Sequence, residues 1–500
     1  MSAGTLDEDL RAAALREPDG AALVAEPGTL SFAELDRAAD RIAAGLAGLG
    51  VERGDRVAMM LPNSLEAASA IYGVLRAGAA LSPLNPQTKP EKLGAILADC
   101  RPRVLLCDAE RGEIAGDVAA AAGCQVRDIG EAGDDGEPPR PPQPSDLGCV
   151  IYTSGSTGEP KGVMHAHSNM AFVAGSIAES LGLEASDRVL CVLQLSFGYG
   201  LYQLFTCVRT GATLVLEPGF AFAGRVVQLL EDERITILPG VPTVFGVLLS
   251  LRGLGERDLP HLRLLTSAGA ALPETMAMEL RRTLPGAGVC PMYGQTEAQR
   301  ICYLPPGEFD ERPTSVGVPI PGTETWIEDE RGNVLGPGET GELIVRGAHV
   351  MNGYWGDDGL REGKLRPGRG PGERVLVTGD LFRTDEEGFL YFVSRRDDVF
   401  KSRGEKVVPR EIEEVLHTAE GVREAAAVGV PHELLGNIVH AHVAPQPGHE
   451  LEEAALRRHC AAHLEDHMVP KRVFVHDELP RIGSGKIDRR SLKPPKGGDG

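Results

Sequence analysis

A strand that runs straight into a loop of glycines and hydroxyls sets the terms for this chain. Leu147–Ile151 is an apolar run of strand length. The sequence YTSGSTGEPKG follows, from Tyr152 to Gly162. Thr153, Ser154, Gly155, Ser156, Thr157 and Gly158 crowd small residues together, and Lys161 adds a charge at the loop's end. Glycines let backbone N–H groups turn inward and hydroxyls add donors, so such a loop can wrap a polyphosphate. It is not the Walker loop: Pro160 stands where that pattern has Gly, and Gly162 where it needs Ser or Thr. A Ser/Gly linker is the competing reading, but linkers seldom follow a buried strand or end in Pro-Lys-Gly.

Five hundred residues are too many for one core, so two or more domains are expected. No apolar run is long enough to span a bilayer, and the acidic N-terminus lacks a signal core. A formal charge of -21 argues against nucleic acid as partner while allowing a local basic pocket. The nine cysteines are scattered without a CxxC pair. They read as reduced thiols of a cytoplasmic protein rather than a disulfide frame or zinc site. His165 and His167 lie close to the loop, but packed or exposed histidines fit them better than a metal pair.

Residues 1–128 alternate helical and strand patterns. Ser31 and Glu34 form a capping box that opens an amphipathic helix to Gly50. Asp55–Leu61 reads as a strand, Asn63 as the cap of a helix over Leu65–Arg76, and Arg103–Cys107 as another strand. This alternation implies a parallel sheet covered on both faces. Residues 129–146 hold Glu131, Asp134, Asp135 and Glu137 and then five prolines, which reads as an exposed loop. A helix over Asn169–Leu181 follows, then strands over Arg188–Leu193, Ala212–Leu216, Ile235–Pro239 and Leu262–Ser267. Glycine-rich turns close most of them, where open α/β sheets collect ligands. From Gly317, short alternating segments such as Glu324–Glu328 and Glu342–Arg346 read as antiparallel sheet. The charged stretch 394–410 then separates an α+β tail, and the boundary falls at Asp397.

Six signatures stand in order along the chain: YTSGSTGEPKG at 152, YGQTEA at 293, GELIVRGAHVMNGYW at 341, TGD at 378, SRRDDVFKSRGEKV at 394 and GSGKIDR at 483. Together they resemble the adenylate-forming superfamily of acyl-CoA synthetases, amino-acid adenylation domains and luciferases. SFGYGLY, from Ser196 to Tyr202, most resembles benzoate–CoA ligases, and the chain as a whole resembles aryl-CoA ligases and free-standing adenylation enzymes. The resemblance implies an α/β fold. Residues 1–396 would form a large N-terminal domain of two α/β sheet subdomains plus a small β-barrel-like sheet. Residues 397–500 would form a small, mobile α+β C-terminal domain.

The implied chemistry uses ATP and Mg2+ to turn a carboxylate into an acyl-adenylate, whose acyl group then passes to coenzyme A. By resemblance, the loop from Thr153 to Lys161 cradles the β,γ-phosphates. Glu297 is the magnesium ligand, which suits a hard cation, and Thr296 contacts the α-phosphate. Tyr293 and Gly294 meet adenine, with Gly269, Ala270 and Ala271 as the opposite wall. Asp380 holds the ribose, helped by Arg395. Lys486 bridges the carboxylate and α-phosphate oxygens in the transition state. Asp397 is the hinge, and Gly404 lines the thiol tunnel after the swing.

Amino-acid-activating relatives carry Phe-Asp where this chain has Phe197 and Gly198, so the acid that would pair an α-amino group is missing. Phe197, Tyr199, Gly200, Gly240, Phe245 and Gly269 resemble the walls of an apolar acyl slot, which suits an aryl or other hydrophobic acid. Arg403 beside Gly404 replaces a small residue common in CoA ligases. A carrier-protein phosphopantetheine therefore stays open as acceptor, as do a β-amino acyl substrate, an enzyme of one half-reaction, a non-catalytic nucleotide-binding protein and a homodimeric state.

Overall fold

The computed structural model describes residues 4–154, 160–220, 222–357, 363–370, 372–403, 405–432, 435–482 and 486–492. The first helices start where hydroxyl caps allow. Ser31 accepts from the Glu34 amide while Glu34 returns a bond to the Ser31 amide, and the helix Phe32–Gly48 follows. The helix Leu65–Arg76 begins at Ser64, whose Oγ accepts from the Ala67 amide at 3.1 Å. Asn63, the expected cap, does something else. Its Nδ2 donates to the carbonyls of Leu193 (2.8 Å) and Glu217 (3.0 Å), and its Oδ1 accepts from the Leu195 amide (2.8 Å). Asn and Ser are equally good caps, so the sequence alone does not separate neighbours.

Two twisted sheets form the body. In the first, among the described residues, the strands run in the order Gly353–Tyr354, Pro160–Ala166, Leu147–Ser154, Ala80–Pro83, Arg56–Met60, Val104–Cys107 and Gln125–Asp128. From Leu147–Ser154 onward, neighbours in this order are parallel; the pairs made by Pro160–Ala166 are antiparallel. In the second, the central strands Gly288–Tyr293, Leu264–Ser267, Ile237–Gly240, Arg188–Cys191, Thr213–Leu216 and Ala21–Ala25 are parallel, with antiparallel edges. The strands Thr213–Leu216, Ile237–Gly240 and Leu264–Ser267 are buried along their whole length, as a sheet covered on both faces requires. The strand Arg188–Cys191 stops two residues before the expected Leu193, while Ile237–Gly240 and Leu264–Ser267 each begin two residues later than expected. Residues 129–146 are a loop anchored at both ends: Ala132 is buried against Gly45, and Asp146 pairs with Arg53 at 2.6 Å.

A third sheet, of Thr323–Glu328, Gly341–Gly347, Arg374–Thr384, Leu365–Pro367 and Leu390–Arg395, is antiparallel and forms a half-barrel. After it comes the short turn Arg396–Asp398, then the strands Val422–His432, Gly436–Pro445 and Arg472–Val475 with helices Pro409–His417 and Glu453–His463. No apolar cluster among the described residues mixes side chains from before and after Asp397. The tail touches the body through Arg410, which donates to the Phe392 carbonyl with its guanidinium 5.3 Å from that ring. No helix among the described residues is long and apolar enough to cross a membrane.

One polar cluster locks the N-terminal helices together. Arg76 is fully buried, with Asp7 at 2.6 Å, Asp36 at 2.5 Å and Asp40 at 2.8 Å. Removing one side of a buried ion pair strands the other charge. Arg76→Met is therefore expected to cost about 3–5 kcal/mol of folding stability, read as a lower denaturant midpoint. An unmoved midpoint would contradict this account.

Candidate functional site

The site grows from strand ends. Leu147–Ser154 and Pro160–Ala166 pair antiparallel from Ala166 opposite Leu147 to Pro160 opposite Ser154, and this hairpin carries the glycine–hydroxyl loop at its tip. Thr153 and Lys161 face each other as a cross-strand pair. Gly155, Ser156, Thr157 and Gly158 lie outside the described residues, as does Gly404; of Ser154 only the backbone is described. Strand Gly353–Tyr354 adds to the hairpin's far edge, with Tyr354 opposite Val163. The Tyr354 ring lies 5.8 Å from Lys161 Nζ, and its hydroxyl donates to Glu297 Oε1 at 2.8 Å. Tyr354 thus ties the loop's lysine to Glu297.

Tyr293 ends the strand Gly288–Tyr293, and the chain turns sharply at Gly294. A Cβ there would lie 1.9 Å from the Gln299 carbonyl oxygen, so only glycine fits. Tyr293 donates to Asp380 Oδ2 at 2.5 Å and packs edge-on to Phe382, with centroids 4.8 Å apart. Asp380 and Arg395 are cross-strand partners, with Arg395 Nε 3.2 Å from Asp380 Oδ1. Asp380 is buried, and its amide donates to Thr378 Oγ1 at 3.1 Å. Each of its carboxylate oxygens is therefore held by a different element.

Thr296 and Glu297 follow in the turn after Gly294. His165 Nε2 donates to the Thr296 carbonyl at 2.8 Å, and the Glu297 carbonyl accepts from the Met351 amide at 2.8 Å. His165 is buried, which holds its pKa down at about 4, so it is neutral and fixes the turn without adding charge. His167 is likewise buried and held down at about 4. Among the described residues, no group of three or more His, Cys, Asp or Glu side chains is placed to hold a metal ion. Glu297 is thus a single carboxylate, which fits a magnesium ion that keeps waters and phosphate oxygens as its other ligands.

Lys486 reaches this cleft from the tail. Its backbone closes a small bridge, with the Ile482 amide donating to the Lys486 carbonyl at 2.9 Å. The ammonium keeps solvent exposure but is crowded by protein. Its pKa is lowered, first by desolvation and then by Arg395, with Asp380 and Glu297 opposing the shift. One lysine from the tail therefore shares a neighbourhood with three charged residues of the body.

The acyl-slot candidates divide. Gly269 and the turn Ala270–Ala271 follow the strand Leu264–Ser267. Phe197 sits at the start of the helix Gly198–Thr210, which carries Tyr199 and the buried Gly200. The Tyr199 hydroxyl donates to Thr266, with the carbonyl at 2.9 Å and Oγ1 at 2.8 Å. Gly240 ends the strand Ile237–Gly240. Phe245 packs its ring on Gly240 and is 1% exposed, within the core beneath the sheet. A Cβ at position 198 would lie 2.2 Å from Gln299 Oε1, so a side chain of this protein occupies the space an aspartate would need.

Sequence reasoning passed over Tyr354, Gln299 and Arg300, and read His165 only as a packed or exposed histidine beside the loop. Tyr354 lay inside a recognised signature, GELIVRGAHVMNGYW, but its contact with Glu297 spans 57 positions. Gln299 has a left-handed backbone, φ 57°, which is rare outside glycine, and nothing in the sequence announces it.

Comparison with known proteins sharpens this picture. The AMP-binding enzyme family matches residues 10–355, and the AMP-binding enzyme C-terminal domain matches residues 411–486. A feruloyl-CoA synthase of Amycolatopsis sp is 34% identical over 463 residues, covering 92% of each chain. The o-succinylbenzoate CoA synthetase MenE of Bacillus subtilis, in complex with its acyl-adenylate OSB-AMP, superposes with a TM-score of 0.88 at 32% identity, covering 98% of this chain and 99% of that one. ATP-bound MatB from Rhodopseudomonas palustris superposes at 0.90 and 29% identity, covering 98% of each chain, against 0.80 for the apo form of the same protein.

Proposed function

The chain belongs to the AMP-binding enzyme family, and from that footing we propose that it activates an aryl or other hydrophobic carboxylic acid. It is an AMP-forming carboxylate–CoA ligase. In the first step a carboxylate oxygen attacks the α-phosphorus of ATP, an acyl–phosphate bond forms, and pyrophosphate leaves. In the second, the thiol of coenzyme A attacks the acyl carbon, gives up its proton and displaces AMP.

The observation that carries the residue roles is the shared neighbourhood of Lys486, Arg395, Asp380 and Glu297. Lys486 bridges the attacking carboxylate and the α-phosphate as negative charge concentrates there, a contact stronger in the transition state than before it. Asp380, set by Tyr293 and Arg395, holds the ribose hydroxyls. Tyr293 and Gly294 meet adenine against Gly269, Ala270 and Ala271. The loop from Thr153 to Lys161 cradles the leaving phosphates, and Thr296 meets the α-phosphate. Glu297, oriented by Tyr354, would hold Mg2+, which would supply positive charge to the leaving pyrophosphate. Phe197, Tyr199, Gly200 and Gly240 line the acyl slot. Residues 1–396 form the catalytic body and 397–500 the moving domain. The nine cysteines, all free and buried, support a reducing, cytoplasmic setting.

The test is stoichiometric. With ATP, Mg2+, CoA and a suitable acid, AMP and acyl-CoA are expected in equal amounts; AMP without thioester would overturn the CoA assignment. Asp397 lies in the turn between the two sets of cores. A fixed φ there hinders the swing. Asp397→Pro is expected to leave pyrophosphate release near normal and slow thioester formation by about 100-fold, the scale of a misplaced reactant. Equal losses in both steps, measured by rapid quench, would rule out the hinge.

A further inference from the structure

Arg300 is 5% exposed, and its Nε and Nη1 are sealed from solvent with no hydrogen-bond partner among the described residues. No carboxylate faces it there: burial lowers its pKa, and the groups that oppose this are Tyr199, Cys290 and Cys302. The contrast lies within the same fold. Arg76 is equally buried but holds three aspartates. A buried guanidinium without an anion is costly, and proteins rarely keep one without a purpose. The face of Tyr199, 5.1 Å from the guanidinium carbon, compensates only in part.

Its position gives the purpose. Gln299 and Arg300 oppose the start of the helix Gly198–Thr210, with Gln299 over Gly198 and Arg300 over Tyr199. Tyr199 is one of the residues assigned to the acyl slot above, and Arg300 lies only a few positions past Thr296 and Glu297. We propose that Arg300 binds a second carboxylate on the substrate, at the end remote from the carboxylate that is activated. The acid is then an aryl or hydrophobic body with an anionic group at each end. This rests on the ligase reading above and narrows its substrate class. Arg suits the task because its planar fork meets a carboxylate with two parallel bonds.

The experiment compares 3-phenylpropanoate with its ring-hydroxylated and ring-carboxylated analogues, by acid-dependent AMP formation. The wild type is expected to favour the carboxylated acid by about 10- to 100-fold in kcat/KM, the scale of a charge-assisted hydrogen bond. In Arg300→Leu that preference collapses, through KM for the carboxylated acid and not KM for ATP; Arg300→Lys recovers part of it. A wild type that prefers the plain or hydroxylated acid overturns the inference, and this comparison needs no variant to fold. A preference that survives Arg300→Leu, or a change confined to KM for ATP, also overturns it. Turnover confined to monoacids leaves the ligase reading standing. AMP formation from none of a broad panel of monoacids and diacids overturns both.

Discussion

Lys486→Ala is expected to lose acid-dependent pyrophosphate release by about 100- to 1000-fold, the cost of removing one preorganised donor to a developing oxyanion. Thioester formation from a supplied acyl-adenylate should survive largely intact. Lys486 sits on the tail, and its ammonium is crowded among Arg395, Asp380 and Glu297 of the body. A group brought in by a moving domain serves the step for which that domain is docked. The electrostatics add a second signature. Desolvation and Arg395 together lower the pKa of Lys486, so its charge is lost at a lower pH than an ordinary lysine's. Pyrophosphate release should therefore fall on an alkaline limb displaced downward, and the thioester step should lack that limb. Rapid-quench assays of each half-reaction across pH measure both. An equal loss in the two steps would remove Lys486 from its role.

Asp380→Ala should lower kcat/KM for ATP by about 100-fold, chiefly through KM. Asp380 is buried and receives Tyr293 on one oxygen and Arg395 on the other. Its loss removes the acceptor to which the ribose is assigned above and also strands two donors that were positioned for it. Those stranded donors predict non-additivity: Asp380→Ala combined with Arg395→Ala should cost less than the sum of the two. If the acid's KM moves instead of ATP's, Asp380 belongs to another part of the cleft.

What the sequence made legible follows a physical line. The hairpin that carries YTSGSTGEPKG and the strands buried on both faces can be read locally, because glycine spacing and apolar runs are local properties. The capping box at Ser31 and Glu34 is local in the same sense. Asn63 is not: its three bonds go to residues about 130 to 150 positions away, and Ser64 takes the cap. Tyr354 on Glu297, His165 on Thr296 and Arg300 over Tyr199 arise where separate strands and turns converge. Phe245 shows the opposite lesson. Its ring is 1% exposed and rests on Gly240 among the core residues beneath the sheet, a burial that its place in the sequence does not announce.

Exchange of labelled pyrophosphate into ATP, run without CoA, reaches the central claim most directly. A cleft that forms a discrete acyl-adenylate must run that step backward, so label should enter ATP only when the cognate acid and Mg2+ are both present, and Lys486→Ala should abolish it. Exchange that proceeds without acid, or its absence while acyl-CoA still forms, would contradict the adenylate pathway.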